Sequence, residues 1–467
     1  MKILSFILLL ALAGCVPRPF VFKPENDLVP SRWETRARQA QEGNSTFWIE
    51  SFGDDALKQA TLAAWRNNPD LLATAERVLA SGEEAVIAGA SLFPAARADV
   101  SGTRSKRNLI GFNFPGGETS FTTKSFSSGI NLSWELDFWG RIRDLRHSAR
   151  KRFEGSQADY EAARLSLAGQ VAKAWFALAE SSAQLGILRK TTETYSKNQA
   201  YVSDRFDRGL QPSRLEKDLA TSILANARAN LAKGRRSHEA NLRALSLLLG
   251  EYPSTGRDRN ESRPLPLLSL PPRPPTPVET LARRPDLRAA RMNMEASGLD
   301  LKASGKSLLP SFSILGGPGS RAGEFNDLLD QRFRTWEVAG SVSQPIFQGG
   351  RLMARTRRAK AIQKGAVENY KSAILKAFAE VENTLSAENH LAEEEQSLEL
   401  AVQASTSAAQ ISWERYQRGV ENIFNALENQ RRSFEAESRL LSVKKERIHN
   451  RINLYLALGL DALPEKQ

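Results

Sequence analysis

The second half of this chain repeats the first. The run Asn-Pro-Asp-Leu at residues 68–71 recurs as Arg-Pro-Asp-Leu at 284–287, 216 residues later. The run Arg-Phe-Asp-Arg-Gly-Leu at 205–210 recurs as Arg-Tyr-Gln-Arg-Gly-Val at 415–420, 210 residues later. Solenoid repeats run roughly 20–50 residues, so a period this long indicates a duplicated structural unit. The chain must therefore fold into two similar halves.

Proline separates the two halves. The stretch from Pro264 to Pro277 cannot continue a helix, and we expect an extended linker there. The predicted organisation is a signal peptide (1–14), a lipidated N-terminal segment (15–60), a first repeat with a helix, two strands and a long helical hairpin (61–260), the linker (261–280), a second repeat (281–461) and a tail (462–467).

Each half contains a segment that alternates with period two, as β-strands do. Its apolar positions are Ile130, Leu132, Trp134, Leu136 and Phe138 in the first half, and Trp336, Val338, Val342 and Ile346 in the second. Residues 96–103 and 311–316 are the candidate partner strands, and the Gly/Ser/Thr-rich stretch 109–123 is a candidate loop. A half-buried strand of a soluble protein would alternate in the same way. Apolar-out, polar-in alternation with aromatic residues is also typical of transmembrane strands.

Four strands cannot close a barrel, and an open sheet edge is not tolerated in hydrocarbon. If the strands cross a membrane, several chains must therefore contribute to one closed sheet.

Two long helices follow the strands. After Arg141 and again after Arg351 the sequence lacks proline for about 67 residues, which as helix would extend roughly 100 Å. Apolar residues recur at coiled-coil spacing, including Val171, Leu178 and Leu185. Each helix stops at Arg-Gly, where glycine can adopt the left-handed conformation that ends a helix. The predicted fold is mainly α with a small β part.

Cys15 is the only cysteine in 467 residues. It follows a short apolar run and the residues Leu12, Ala13 and Gly14, and this arrangement resembles the lipobox of bacterial lipoproteins. An ordinary signal peptide with an incidental cysteine is the alternative. The resemblance implies that Cys15 becomes the mature N-terminus and carries a covalent lipid, and no other cofactor is predicted.

Enzymatic and nucleic-acid functions find little support in the sequence. The four histidines are scattered and form neither a metal-binding spacing nor a catalytic dyad. The net charge of +12 comes from basic residues distributed among nearly as many acids, so solvated helix faces explain it better than a nucleic-acid surface.

Taken in order, these motifs resemble the TolC/OprM-type outer-membrane efflux family, and in particular its NodT-like lipoprotein branch. The resemblance rests on Trp48, Phe52-Gly53-Asp54, Asn68-Pro69-Asp70-Leu71, the run from Ser133 to Arg141, Arg283-Arg284-Pro285-Asp286 and both Arg-Gly turns. It implies a homotrimer anchored by lipid in the outer membrane, with a twelve-stranded transmembrane β-barrel and a trimeric α-helical periplasmic tunnel.

The same resemblance implies the function and the partners. The expected role is the exit duct of an RND-type tripartite efflux system, which exports small molecules with an inner-membrane pump and a periplasmic adaptor. The adaptor would contact the hairpin tips at Arg208, Gly209, Leu210, Arg418, Gly419 and Val420.

Gate residues are also implied. Family members often carry aspartates six and nine residues after the second tip glycine, where this chain has Asn425 and Glu428. Glu421 is a further candidate carboxylate, and Tyr416 matches a family tyrosine near the constriction. A three-fold axis would bring such carboxylates together, raising their pKa or attracting cations. A solvated helix face is the alternative interpretation for each of them.

Two other functions remain compatible with these features. A type I protein secretion duct would have the same architecture. A structural coiled-coil envelope lipoprotein would share the lipid anchor and the heptads, but it would not need the alternating strands.

Overall fold

The structure is a computed structural model that describes residues 17, 19–20, 22, 24, 28–35, 47–108, 120–210, 213–254 and 264–464. Cys15, the predicted signal peptide and residues 109–119 lie outside these ranges. In chain order the helices are α1 (Asp55–Asn67), α2 (Pro69–Ala90), α3 (Arg141–Asp207), α4 (Arg214–Leu248), α5 (Pro277–Arg283), α6 (Pro285–Lys306), α7 (Arg351–Gln417) and α8 (Ile423–Ala457). The strands are β1 (Ala95–Asn108), β2 (Ser120–Leu136), β3 (Ser311–Ala322) and β4 (Arg334–Ser343).

The duplication is visible in the lengths of the elements. The helices α2 and α6 have 22 residues each, α3 and α7 have 67 each, and α4 and α8 have 35 each. The two long helices begin at Arg141 and Arg351, as the sequence predicts. By its contacts the chain divides into two compact units, and each unit takes segments from both repeats: one comprises 1–23, 77–157 and 289–370, the other 24–76, 158–288 and 371–467.

The heptad positions of the hairpin helices are buried. Val171 is fully buried in α3, as are Ile374 in α7 and Ile448 in α8. Leu178, Leu185, Val381, Leu385, Leu427 and Tyr455 are also buried. These apolar contacts stabilise the hairpin helices. Among the described residues, no helix has an apolar stretch long enough to cross a bilayer.

A short 3-10 helix, Trp48–Phe52, packs against α8 through Tyr455 and against α3 through Phe176. The Trp48 ring is fully buried and stacks on Tyr455 with 5.8 Å between centroids. Asp54 caps α1 by accepting from the backbone of residues 56 and 57, and its other carboxylate oxygen accepts from Nε1 of Trp175 at 2.8 Å. The helix α1 therefore begins at residue 55, inside the stretch predicted as N-terminal segment.

The linker ends earlier than predicted. Thr276 and Glu279 form a capping box in which each side chain accepts from the other residue's backbone N–H, and Pro277 occupies the first helical turn. These interactions start α5 at residue 277, so residues 277–280 are helical rather than extended.

The four strands form one antiparallel sheet in the order β1-β2-β3-β4. Three of them are longer than the alternation indicates: β1 continues to Asn108, β3 to Ala322, and β2 already begins at Ser120, within the predicted loop. The added residues are largely polar and pair in register, for example Lys106 with Thr122. Ladder hydrogen bonds join backbone groups, so pairing continues where apolar alternation stops.

Phe138 and Ile346 were predicted in strands and lie beyond them. The strand β2 ends at Leu136 because the Asp137 carboxylate accepts from the backbone N–H of Ile142 and Arg143, both at 2.9 Å, and so caps α3. Phe138 lies in the resulting turn and is 68% exposed. Ile346 follows the end of β4 at Ser343.

A buried ionic cluster lies between α7 and α8. Nη2 of Arg451 is 2.5 Å from Glu388, and the two residues are 1% and 4% exposed. Asn450 donates to the same carboxylate at 3.3 Å, and Nε of Arg447 approaches it at 3.6 Å. Nη1 of Arg451 donates to the Ser269 carbonyl of the linker at 2.9 Å. The cluster fixes the linker and the register of the two helices.

Removing the Glu388 carboxylate is expected to be more damaging than removing Arg451. In Glu388→Leu the fully buried Arg451 guanidinium loses its counter-charge, whereas Arg447 keeps its ion pair with Glu395 at 2.7 Å. The cost should be about 3–5 kcal/mol of unfolding free energy per chain. In Arg451→Leu the carboxylate keeps Arg447 and Asn450, so the loss should be smaller. Thermal unfolding of the detergent-solubilised protein measures both.

The control is Glu399→Leu, which removes a carboxylate that pairs with Lys444 at 2.9 Å and is 52% exposed. Exposed ion pairs contribute about 0–1 kcal/mol, so this variant should unfold close to wild type. Equal losses in Glu388→Leu and Glu399→Leu would contradict the role assigned to the buried cluster.

Candidate functional site

The two hairpin tips have the same backbone geometry. In the first, Gly209 N–H donates to the Phe206 carbonyl and Leu210 N–H to the Arg205 carbonyl, both at 2.9 Å. In the second, the N–H groups of Gly419 and Val420 donate in the same pattern at 2.9 and 3.0 Å. This is a helix C-cap that closes with a left-handed residue.

Glycine is needed at the tips because the backbone adopts a positive φ angle there, and not because a side chain would clash. The φ angles are +70° at Gly209 and +77° at Gly419, while a Cβ added at either would meet nothing within 4 Å. The apolar residue that follows each glycine is exposed, Leu210 by 51% and Val420 by 62%. The return helices are then capped by Ser213 and Asn422, whose side chains accept from backbone N–H groups.

The tip arginines lie at the ends of the outgoing helices. Arg208 pairs with Asp204 at 2.9 Å, one helical turn earlier. Arg418 occupies the equivalent position in the second hairpin, directly before Gly419. Each tip therefore presents an exposed apolar side chain beside a cationic one.

Tyr416 is part of an aromatic cluster near the second tip. Its ring lies 5.4 Å from that of Trp413 and 6.4 Å from that of Tyr201. Nη1 of Arg205 donates to the Tyr201 hydroxyl at 2.9 Å. Burial raises the pKa of Tyr416 to about 12, so its phenol stays protonated at physiological pH.

Glu421 and Asn425 are brought together. The Glu421 carboxylate accepts from Nδ2 of Asn425 at 2.8 Å and from the Asn422 backbone N–H at 3.2 Å. Arg415 lies 3.5 Å away. The hydrogen bond from Asn425, followed by the other two partners, holds the pKa of Glu421 below its usual range.

Glu428 is ion-paired within its own chain. Arg431 contacts its carboxylate through Nε and Nη2, both at 2.8 Å, and Nε of Arg432 donates at 2.8 Å. Hydrogen bonds from Arg431 and then Arg432 lower the pKa of Glu428 to about 2. Sequence analysis did not identify the two arginines, although the spacings of three and four residues along a helix signal such pairs.

The sheet has one apolar face. The aligned residues Leu132, Gly316 and Val338 lie side by side on β2, β3 and β4, as do Trp134, Ile314 and Gly340. Leu136 and Val342 flank Phe312 in the same way, Trp336 is aligned with Pro318, and Ile130 lies two residues before Leu132 on the same face of β2. An apolar depression of about 390 Å³ lies over Gly316 and Gly317 between Trp134 and Trp336.

Every predicted lipid-facing residue of β2 and β4 lies on this face, together with Phe312 and Ile314, which the sequence analysis did not single out. Trp336 and Val338 are 81% and 72% exposed in a single chain. Among the described residues, no group of three or more His, Asp or Glu side chains is placed to hold a metal ion.

Comparison with known proteins covers nearly the whole chain. The sequence profile of the outer membrane efflux protein family matches residues 63–251 and 276–460. Outer membrane protein OprJ of Pseudomonas aeruginosa is 28% identical over 97% of this chain and 95% of its own length. The cation efflux system protein CusC of Escherichia coli O6:H1 is 28% identical over 98% of both chains.

Solved structures agree with these sequence relatives. The outer-membrane channel OprN superposes with a TM-score of 0.87 at 26% identity, covering 96% of this chain and all of that one. CusC superposes with a TM-score of 0.81 at 25% identity, covering 95% of this chain and all of that one.

The matched family, the duplicated hairpins and the four-stranded sheet therefore agree, and the chain belongs to the outer membrane efflux protein family as a non-enzymatic outer-membrane channel of tripartite efflux pumps.

Proposed function

We propose that the chain acts as a lipid-anchored homotrimer that forms the exit duct of an RND-type efflux system and exports small molecules. In this proposal it belongs to the NodT-like lipoprotein branch, Cys15 carries the lipid, and an inner-membrane pump and a periplasmic adaptor are the partners.

The sheet edges carry the proposal for self-association. Among the described residues, β1 and β4 each pair with one neighbouring strand only, so in a single chain each leaves one row of backbone groups without a strand partner. Unpaired backbone groups are too costly in hydrocarbon, and closure requires strands from other copies. Three copies would supply the twelve strands that the family resemblance implies.

Small molecules are favoured as cargo by the names of two relatives. The solvent efflux pump outer membrane protein SrpC and the toluene efflux pump outer membrane protein TtgI, both of Pseudomonas putida, are each 27% identical over 98% of this chain.

The gate proposal changes in one respect. Glu428 is compensated by Arg431 and Arg432, and Glu421 by Asn425 and Arg415. We therefore propose that these residues form a charge-compensated constriction rather than an acidic ring, with Tyr416 packed behind it.

Native mass spectrometry of the detergent-solubilised product tests assembly and lipidation together. We expect a trimer of chains that begin at Cys15 and carry acyl mass, and a Cys15→Ser variant without that mass. A monomer would refute the shared sheet, and acyl mass on the serine variant would refute lipidation at this residue.

Charge on the apolar face of the sheet should oppose membrane insertion. Leu132→Arg is expected to cost about 2–4 kcal/mol near the bilayer midplane, because the guanidinium would enter hydrocarbon. The measurement is the yield of folded trimer in lipid vesicles at increasing urea concentration. The matched control is Ser133→Arg, whose side chain lies on the opposite face. Equal insertion of the two variants would show that the face is assigned wrongly.

Charge at the second tip should weaken adaptor docking. Val420→Glu places a carboxylate on an exposed residue at no expected cost in folding, and it should weaken adaptor binding by about 2 kcal/mol if Val420 is a central contact. Adaptor pull-down and efflux of small-molecule pump substrates measure the effect.

The control is Leu400→Glu, the same kind of change at an apolar residue of α7 that is 64% exposed and lies 20 positions from Val420. Its binding and export should match wild type. Normal export by Val420→Glu would remove the second tip from the docking surface.

A further inference from the structure

The first four turns of α7 carry positive charge without internal compensation. Between Glu337 and Glu368 the sequence has no acidic residue, but it has six basic ones. All six are exposed, namely Arg351, Arg355, Arg357, Arg358, Lys360 and Lys364. Within the part of the chain that the structure describes, none of them lies at ion-pair distance from a carboxylate. Arg351 donates to the neutral side chain of Gln348 at 2.7 Å.

The equivalent turns of α3 differ, although the two helices align with the 210-residue offset. Cations of α3 pair with carboxylates of the same chain in five ion pairs, Arg141–Glu135, Arg143–Asp137, Arg150–Glu154, Lys151–Glu154 and Arg152–Asp300. In the second repeat the place of Glu135 is taken by Pro345. The place of Asp137 is taken by Phe347. The start of α7 thus has cations without the carboxylates that neutralise the start of α3.

Exposed apolar residues separate these cations from the sheet. The strand β4 ends at Ser343, eight residues before Arg351. Between them, Ile346 and Phe347 are 94% and 87% exposed. A cationic segment that directly follows exposed apolar residues is typical of the boundary between hydrocarbon and headgroups.

The apolar face of the sheet continues to the same place. Phe312 of this face contacts Phe138, with 5.4 Å between the ring centroids. A cavity of about 280 Å³ at the end of the sheet has Leu136, Phe138 and Arg351 among its lining residues. The first cation of α7 therefore lies beside side chains of the apolar face.

The six cations form two faces of α7, because residues three and four positions apart lie on the same side of a helix. We call one the arginine face, which consists of Arg351, Arg355 and Arg358, and the other the lysine face, which consists of Arg357, Lys360 and Lys364. The arginine face extends about 10 Å along the helix from Arg351, whereas Lys364 lies about 20 Å from it.

Distance from the sheet favours the arginine face as a membrane contact. The headgroup layer on each side of a bilayer is roughly 5–8 Å thick. Long arginine side chains can extend along apolar surface and keep their charged ends at the headgroups. The arginine face can therefore reach the headgroup layer, while most of the lysine face lies beyond it.

We infer that the arginine face binds the phosphate groups of an anionic phospholipid in the leaflet next to the α7 end of the sheet. Guanidinium groups donate in pairs to phosphate oxygens, and the three positive charges require a lipid with net negative charge. The exposed side chains of Ile346 and Phe347 contact the acyl region of the same leaflet. Cations clustered beside a membrane segment attract anionic lipid in this way. The inference rests on the proposed placement of the sheet in the membrane.

Lipid binding to the purified protein tests the inference. The full-length protein in detergent is titrated with phosphatidylglycerol or with phosphatidylcholine, and the bound lipids are counted by native mass spectrometry. Phosphatidylglycerol should bind at least about tenfold more tightly, because the phosphatidylcholine headgroup carries its own positive charge. Equal binding of the two lipids would overturn the inference.

A triple variant, Arg351→Gln with Arg355→Gln and Arg358→Gln, removes the arginine face. These side chains are exposed and have no carboxylate partner in the described chain, so folding should be unaffected. Affinity for phosphatidylglycerol should fall at least about tenfold, since each cation near a charged lipid surface contributes roughly fivefold. Phosphatidylcholine binding should not change. Wild-type affinity for phosphatidylglycerol in this variant would contradict the inference.

The matched control removes the lysine face with Arg357→Gln, Lys360→Gln and Lys364→Gln. It takes the same net charge from the same turns of α7, and its affinity for phosphatidylglycerol should stay within about twofold of wild type. Equal losses in the two triple variants would show that binding follows net charge alone, and the arginine face would no longer be the site.

The oligomeric state in the same spectra separates this inference from the proposed function. A wild-type monomer would refute the shared sheet, whatever its lipid preference. A wild-type trimer without lipid preference would refute the phospholipid surface and leave the duct intact. Dissociation of the trimer in the arginine-face variant would show that these arginines contact a neighbouring copy, and it would overturn the assignment to lipid.

Discussion

The need to pair backbone hydrogen-bonding groups governs this structure. In the part of the chain that the structure describes, the sheet has two open edges, one along the 14 residues of β1 and one along the 10 residues of β4. Water can satisfy such edges, but hydrocarbon cannot. Closed membrane barrels have at least eight strands, so one chain with four strands is too small. If the sheet lies in the membrane as proposed, backbone chemistry requires more than one copy, and the family resemblance implies three.

Once copies surround an axis, each side chain near that axis occurs once per copy. An isolated carboxylate at such a position would be repelled by its copies, and its pKa would rise. In this chain the opposite is found for Glu428, whose pKa of about 2 follows from two arginines on the same helix. In the proposed trimer the symmetry would repeat a carboxylate that is already paired, so the charge of the proposed constriction would depend on ion pairs formed within each chain.

Local signals predicted most of the helical architecture. Absence of proline and an Arg-Gly stop are sufficient to place helices that begin at Arg141 and Arg351 and have 67 residues each. The strands were harder, because the outer part of β1 consists of polar residues such as Arg104 and Lys106 whose pairing is set by the neighbouring strand. Phe138 continued the apolar alternation, but the cap that Asp137 provides to α3 ends the strand first.

The site was predictable only in part for the same reason. Glycines mark the tips because a left-handed φ is a local property, whereas the cluster of Glu388 and Arg451 joins residues 63 positions apart. Patterns in the sequence indicate pairs only a few residues apart, so this cluster could not be predicted from them. The hydrogen bond from Gln363 to the Phe20 carbonyl joins residues still further apart, 343 positions.

Some equivalent positions of the two repeats carry different side chains, and these differences change which segments the repeats contact. At the 210-residue offset, Glu388 and Arg451 of the second hairpin correspond to Leu178 and Asn241 of the first. The first hairpin is thus packed with leucine where the second buries an ion pair that also binds the linker through Ser269. At the same offset, Thr356 and Gln363 of α7 stand where α3 has Arg146 and Phe153. In both places a side chain of the second repeat contacts a segment outside the repeats: Arg451 donates to the Ser269 carbonyl, and Gln363 donates to the Phe20 carbonyl. The two repeats therefore share a scaffold but bind different segments outside them: Ser269 contacts the second repeat, whereas Asp54 accepts from Trp175 of the first.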